Sequence, residues 1–487
     1  MEKNSLDPST NQKEPNAACQ QEDLKANSIH VEDKTTSPNA KPINLLQNKW
    51  IRAIFDSSLY PKIFQWAGFV VFAIIIYAAL FGSTLPHNNF GIAATWVLWW
   101  PIIPLFFFLL GRFWCAICPF AWLNDIVQKY FGAGKPVPVF LRKYGIWIID
   151  AFFILITWAD HIWGIVESPR GSGYLLLIIV AMVVFAAAFW QRRTFCRYIC
   201  FIGGLSGNYA RSGILELRAT PEKCKVCTTQ ACYKGGDKAP GCPVFEFPRT
   251  MEDNTKCNLC GHCIKNCPND SLRLTPRVPT KELWYIRKPR FAEAALAIII
   301  MGIVLVQNVT MLDIWPSMLA FTQSLLHTDS FNIAFTAIFA TFMALPFAAL
   351  WLTSLISRQG SESIVYNMTI FGYAIIPLDL AAHMGHNLFH LLTEIKAVWY
   401  SLIALFTGTM PEGSLAIVSS GPTIYWMQMG MLVLGFIGSA YSAYRIAGYH
   451  YPGKSSRLKA LIPHLVFLLI FLLINVYIFN LPMAHRV

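Results

Sequence analysis

Long apolar runs alternate with short basic loops along most of the chain. A helix of about 20 residues crosses the hydrocarbon core of a bilayer, because each residue adds about 1.5 Å of rise. The pattern predicts an all-α polytopic membrane protein with about nine transmembrane helices. The predicted spans are 64–83, 93–111, 145–166, 172–190, 291–312, 331–355, 364–392, 424–446 and 460–481.

Lysine and arginine concentrate in alternate loops between these runs. With the N-terminus inside, the outer segments hold only Arg170, Lys396 and Arg486. Basic residues favour the cytoplasmic side of short loops. We therefore predict a multi-pass protein of the prokaryotic inner membrane, in contact with lipid. This topology accounts for the net charge of +12; an acidic cytoplasmic partner or anionic lipid is the alternative, and no nucleic-acid-binding motif is present.

The stretch KCNLCGHCIKNCPND, residues 256–270, interrupts the apolar pattern with four cysteines and a proline. In a CxxCxxCxxxCP run three thiolates bind one iron-sulfur cluster and the fourth binds a second one. A looser quartet lies upstream, at residues 224–242. The rule predicts two [4Fe-4S] clusters, one on Cys224, Cys227, Cys232 and Cys267, the other on Cys257, Cys260, Cys263 and Cys242. Zinc is the alternative occupant, and disulfides are disfavoured in a reducing compartment.

Two further cysteine pairs stand at the cytoplasmic ends of predicted helices. The second span ends in GRFWCAICPF and the fourth in QRRTFCRYICFIGG. Each motif places arginine, then an aromatic residue, then two cysteines, so spans one to four read as a duplicated two-helix unit. The four thiols are candidates for a further metal cluster, for redox-active dithiols or for a structural role; they are Cys115, Cys118, Cys196 and Cys200.

These motifs resemble the membrane polyferredoxins of the NapH, NosR and CcoG type over roughly residues 60–275. The family's usual CxxxCP pattern is altered here, because the first pair is one residue closer and Phe201 replaces proline after the second. The resemblance implies a cytoplasmic ferredoxin-like segment that exchanges electrons through a membrane unit. CcoG-like relatives also imply a role in oxidase maturation.

The seventh span carries ionisable side chains on one helical face. Asp379, His383, His386, His390 and Glu394 lie three or four residues apart. Such groups inside a membrane indicate function, because lipid offers them no hydrogen bonds. We predict that they lie toward the outer side, near His327 and His485, with a kink at Pro377. Haem b, a quinol site, copper or another metal, and packing are the alternatives.

The predicted organisation has four parts. They are a disordered cytoplasmic tail at 1–48, a four-helix membrane unit at 49–219, a small α+β 2[4Fe-4S] ferredoxin-like segment at 220–275, and a five-helix membrane unit at 276–487. The leading hypothesis is electron transfer between a cytoplasmic donor or acceptor and quinone or a periplasmic redox protein. The alternatives are a maturation or metal-reducing factor and the membrane anchor of a reductase complex; the sequence leaves open whether the chain is itself an enzyme.

Overall fold

The computed structural model describes residues 43–482. Most of the predicted tail, with Cys19, and the C-terminal His485 lie outside this range. Nineteen helices and one two-stranded sheet are numbered here in chain order. The first membrane unit contains α1 (Lys49–Asp56), α2 (Lys62–Phe81), α3 (Phe90–Leu110), α4 (Phe113–Ile117), α5 (Pro119–Phe131), α6 (Val139–Trp163), α7 (Pro169–Phe189), α8 (Thr194–Tyr198) and α9 (Phe201–Ser212).

The remainder of the described chain begins with the small sheet and its short helices. These are β1 (Leu215–Ala219), α10 (Pro221–Lys225), α11 (Ala231–Lys234), α12 (His262–Asn266) and β2 (Leu272–Pro276). The second membrane unit follows, with α13 (Phe291–Val309), α14 (Trp315–Leu325), α15 (Phe331–Ser357), α16 (Ile364–Glu394), α17 (Lys396–Thr407), α18 (Gly421–His450) and α19 (Lys454–Phe479).

Eight helices in residues 43–482 are long and apolar enough to cross a membrane: α2, α3, α7, α13, α15, α16, α18 and α19. The all-α polytopic fold is therefore confirmed. The remaining predicted span, 145–166, falls in α6, which carries Asp150 and Asp160 and is not one of the eight. Its Trp147 ring packs on Phe291 at the start of α13, and its His161 ring lies 3.3 Å from the Thr310 hydroxyl at the end of α13. Helix α6 thus runs beside the whole length of a candidate span.

Helix α13 forms the centre of the membrane region. Nearly all of its residues from Ala294 to Val309 are buried, as expected for a helix that is apolar on every side. It packs against α6 of the first unit and against α15 and α16 of the second. Helix α16 is interrupted by a 3₁₀ turn at Tyr373–Ile375, just before Pro377, where the sequence predicts a kink.

The small segment is held together by its sheet and a compact apolar core. Strands β1 and β2 are antiparallel, with Leu217 opposite Leu274. Leu46, Phe55 and Tyr60, from before the first span, complete the core. Residues 44–48, predicted as part of the disordered tail, are instead ordered here, because Leu46 is buried and the Asn44 side chain accepts a hydrogen bond from the Leu274 N–H.

Candidate functional site

One cavity in the small segment, called cavity 1, is lined by four cysteines. Its sulfur atoms are supplied by Cys224 in α10, Cys232 in α11, Cys267 just after α12, and Cys227 in the loop between α10 and α11. The Ser271 N–H donates a hydrogen bond to the Cys267 sulfur at 3.2 Å. The cysteines in this cavity are the first of the two sets predicted by crossed ligation.

A second cavity, called cavity 2, is lined by the other predicted set, Cys242, Cys257, Cys260 and Cys263. Gly261 lies inside this loop with a φ of +78°, and an added Cβ would meet the Phe55 ring at 2.9 Å. A larger residue is therefore disfavoured by both conformation and space. The Tyr60 hydroxyl fixes the same loop by donating to the Leu259 carbonyl at 2.6 Å.

Burial disfavours ionisation of the cavity 2 thiols in the absence of metal. Desolvation raises the pKa of Cys257 to about 12 and that of Cys260 to about 11. A positively charged metal group is needed to remove these protons, and its binding releases them. The four sulfur donors and the enclosed setting fit an iron-sulfur cluster. Cys263 of cavity 2 is in electrostatic range of Cys232 of cavity 1, so the two cavities are adjacent.

The helix-mouth cysteines repeat one local structure twice. Cys115 and Cys196 are the third residues of the five-residue helices α4 and α8. Cys118 and Cys200 are the N-cap residues of α5 and α9. A helix N-terminus presents unpaired N–H groups and a partial positive charge, which favour an anionic sulfur.

The structure brings these two pairs together. Cys118 is in electrostatic range of Cys115 and Cys196, and Cys200 is in range of Cys115 and Cys118. Burial raises the pKa of Cys118, Cys196 and Cys200 to about 12. A redox-active dithiol needs a thiolate, and therefore a lowered pKa. Four convergent sulfur donors suit a metal group, and the dithiol and structural roles stay alternative predictions for these residues.

Each pair is preceded by a buried arginine at the N-cap of its short helix. Arg112 donates one hydrogen bond to the Thr255 carbonyl, two residues before Cys257, and approaches the Cys115 sulfur at 3.8 Å. Arg193 makes a bidentate ion pair with Asp125, with N···O distances of 3.0 and 2.6 Å. It is also in electrostatic range of Cys196 and of Cys260 in cavity 2. The arginines therefore lie between the helix mouth and cavity 2.

All twelve cysteines within residues 43–482 are free thiols. Across the same range no three His, Cys, Asp or Glu side chains are close enough to hold a single metal ion. Tetrahedral zinc would bring its sulfur ligands to roughly 3.8 Å from one another. Cavities 1 and 2 are therefore defined by the cysteines that line each of them. The helix-mouth group is defined by the electrostatic proximity of its four cysteines.

The ionisable face of α16 is buried, and its histidines contact residues of the helices α3, α9 and α13. The His383 Nδ1 lies 3.0 Å from the Tyr209 hydroxyl of α9, and its ring lies 5.6 Å from that of Trp100. Tyr209 also interacts with the fully buried Asp379. Helix α9 starts at the Cys200 cap, so it links the helix mouth directly to His383.

The other two histidines continue along the same face. The His386 Nδ1 lies 2.8 Å from the Asn308 amide oxygen, near the end of α13. The His390 Nδ1 lies 3.1 Å from a Glu394 oxygen, one turn later. His327, predicted as a neighbour of this group, is instead exposed in the loop between α14 and α15.

Several of these partners were missed by sequence reasoning. Tyr209, Asn308 and Thr255 belong to no metal or cofactor motif, and each is distant in the chain from the residue it contacts. Tyr209 carried one usable signal, because it follows a cysteine pair in a helix that starts at the membrane boundary. The arginines were visible as part of the repeated motif, but their contacts with the ferredoxin-like segment were not.

Comparison with known proteins identifies the repeated hairpins. The chain matches the family Fer4_5, described as a 4Fe-4S binding domain, over residues 92–145 and 172–218. The first matched segment contains Cys115 and Cys118, and the second contains Cys196 and Cys200. Both segments end before the eight cysteines of cavities 1 and 2. No solved structure matches the chain.

Curated relatives are distant and overlap this chain in part. MJ0749 of Methanocaldococcus jannaschii, an uncharacterised protein, is 26% identical over 170 residues, which are 34% of this chain and 65% of that protein. YccM of Escherichia coli (strain K12), provisionally described as an electron transport protein, is 25% identical over 186 residues, 33% of this chain and 50% of its own length. The chain thus spans less than two thirds of the first relative and half of the second. The predicted resemblance is confirmed by these matches: the chain is similar to proteins of an iron-sulfur electron-transfer family, and its two cysteine-bearing hairpins match a 4Fe-4S binding domain.

Proposed function

We propose that this protein carries electrons between a cytoplasmic redox partner and a quinone site inside the membrane. The observation that carries the proposal is the series of three four-cysteine groups. Cavity 1 adjoins cavity 2 through Cys232 and Cys263, and Arg193 lies in electrostatic range of both cavity 2 and the helix mouth. Bound at these positions, [4Fe-4S] clusters would take up and release single electrons.

The chain's own residues hold this series in place. Arg112 ties the loop before Cys257 to the helix mouth. On the other side of the segment, Glu282 pairs with Arg218 and Arg277 and accepts hydrogen bonds from Asn254. These contacts fix the cysteine segment against the membrane unit, which keeps the cysteine groups at constant separation.

The proposed quinone end lies at Tyr209, Asp379 and His383. Reduction of a quinone consumes protons as well as electrons, and histidine, carboxylate and phenol groups can exchange them. Tyr209 is placed to serve both electron and proton exchange, because its helix α9 begins at Cys200 and the Tyr209 hydroxyl contacts His383.

Two alternative predictions remain. Metal-dependent reduction would support a maturation factor, and a stable partner subunit would support a membrane anchor.

The quinone end can be tested by removing one hydroxyl. We expect Tyr209→Phe to keep its iron but to exchange electrons with a soluble quinol analogue at least tenfold more slowly, equivalent to about 1.4 kcal/mol of barrier. His386→Ala should also slow the exchange, because it removes the partner of Asn308 on the same face. Stopped-flow oxidation of the dithionite-reduced protein in detergent measures both rates.

Tyr451→Phe is the matched control. Tyr451 is also buried, and its hydroxyl bonds Asn367 and Glu362 beside the first residues of α16, away from Tyr209. It should exchange electrons at the wild-type rate. Wild-type rates in both Tyr209→Phe and His386→Ala would place quinone chemistry elsewhere and contradict this end of the proposal.

Crossed ligation makes a separate prediction for two proline-flanked cysteines. Cys242→Ala should perturb the cluster bound by Cys257, Cys260 and Cys263, because Cys242 lines cavity 2. Cys267→Ala should perturb the other cluster, although Cys267 follows Cys263 by only four residues. EPR spectra of the two reduced variants distinguish the assignments. Spectral changes that follow sequence proximity instead of cavity membership would contradict crossed ligation.

A further inference from the structure

The rim of cavity 1 is the exposed end of the cysteine series. Cys227 stands on this rim beside Val226, whose side chain is 75% exposed. The thiols of cavity 2 are more deeply buried, since Cys260 is only 6% exposed and its loop is packed under Tyr60 and Phe55. A soluble redox partner can therefore come closest to the series at Val226 and Cys227.

Basic side chains are concentrated in the stretch of chain that contains this exposed apolar residue. Between residues 221 and 250 the exposed ionisable side chains comprise four lysines, Lys223, Lys225, Lys234 and Lys238, and two acids, Glu222 and Asp237. Lys223 and Arg249 also line cavity 1, and Arg249 is in electrostatic range of Cys227. An exposed apolar residue with several basic side chains nearby in the chain suits a transient partner with an acidic surface.

The position of the rim argues against a lipid-headgroup surface. Contacts toward the helix mouth come from the other side of the segment, where Arg112 bonds Thr255 and Arg193 approaches Cys260. Cavity 1 lies beyond cavity 2 in this series. In the order helix mouth, cavity 2, cavity 1, the basic rim of cavity 1 therefore lies at the end that is farthest from the helix mouth.

We propose that Val226 and the nearby lysines form the docking surface for a small, soluble, acidic protein that carries one electron at a time. This inference rests on the proposed function and names the chemistry of its cytoplasmic partner. Cys224, Cys227, Cys232 and Cys267 would hold the iron-sulfur group with which the carrier's redox centre would exchange one electron, one group being oxidised as the other is reduced. The lysines speed the encounter by long-range attraction, which salt screens.

The test measures binding of purified flavodoxin to the full chain in nanodiscs made only of zwitterionic lipid. At low ionic strength, Lys223→Glu combined with Lys225→Glu should weaken the Kd at least tenfold. The difference should shrink at about 0.5 M salt, where the Debye length falls to a few ångströms. Val226→Ser should weaken binding at both salt concentrations, because its contribution is apolar. The matched control is Lys454→Glu with Lys459→Glu, two exposed lysines at the start of α19, which should leave the Kd unchanged.

The possible outcomes separate this surface from the function on which it rests. An unchanged Kd in the Lys223 and Lys225 variant, with iron content intact, overturns the docking proposal. A variant that loses thermal stabilisation by anionic nanodiscs while still binding flavodoxin normally would mark the rim as a lipid contact and also overturn it. Normal iron content and normal exchange with a quinol analogue in such a variant would leave the electron-transfer proposal standing.

Discussion

Replacing Cys260 with alanine should remove about four iron atoms per chain and loosen the whole ferredoxin-like segment. The segment has two five-residue strands and a small apolar core, so its folding depends on its metal sites. Cys227→Ala should remove a similar amount of iron from cavity 1. Iron analysis and the rate of proteolysis within residues 215–276 measure the two effects.

Cys19→Ala is the control for nonspecific effects of losing a thiol. This cysteine belongs to the predicted tail and to none of the cysteine groups, so its removal should change neither iron content nor proteolysis. Wild-type iron in both Cys227→Ala and Cys260→Ala would defeat the assignment of the two cavities.

Removing the four helix-mouth thiols together should have the largest effect on electron transfer. In the variant with Cys115, Cys118, Cys196 and Cys200 all changed to alanine, we expect exchange with a quinol analogue to fall at least a hundredfold, about 2.7 kcal/mol of barrier. The reason is that this group lies between cavity 2 and the α9 helix that carries Tyr209. Iron should fall by about four atoms per chain while the two ferredoxin-like EPR signals persist. Stopped-flow spectroscopy and iron analysis measure these effects.

The Arg193→Lys variant is the control that separates loss of the helix-mouth thiols from distortion of the contact between the helix mouth and cavity 2. This substitution keeps a positive charge near Cys196 and Cys260 but loses the bidentate ion pair with Asp125. We expect it to retain its iron and to change the reduction potentials by a measurable amount. A four-cysteine variant that matches the wild type in both iron and exchange rate would reduce the helix-mouth thiols to a structural role.

The sequence predicted what depends on local spacing. Apolar length located eight of the nine predicted spans, and the CxxCxxCxxxCP rule named the same two cysteine sets that line the two cavities. Both patterns reflect short stretches of chain whose geometry is fixed by nearby residues. The repeated position of Cys115 and Cys196 in their short helices follows from the same kind of local pattern.

Contacts between distant parts of the chain were not predictable in the same way. Helical periodicity placed the three histidines on one face of α16 but did not give the helix against which that face packs, so the contact of His383 with Tyr209 was missed. The outer-side depth of this group stays a prediction. Composition alone placed residues 44–48 in the tail, although one leucine and one asparagine are enough to order them against β2. Tertiary packing decides such contacts.

EPR spectroscopy with iron analysis of the anaerobically purified, dithionite-reduced protein tests the central claim most directly. Three four-iron groups predict about 12 iron atoms per chain. The adjacency of Cys232 and Cys263 predicts that two of the reduced clusters interact magnetically. About eight iron atoms per chain or fewer, or stoichiometric zinc in their place, would contradict the series of three iron-sulfur groups.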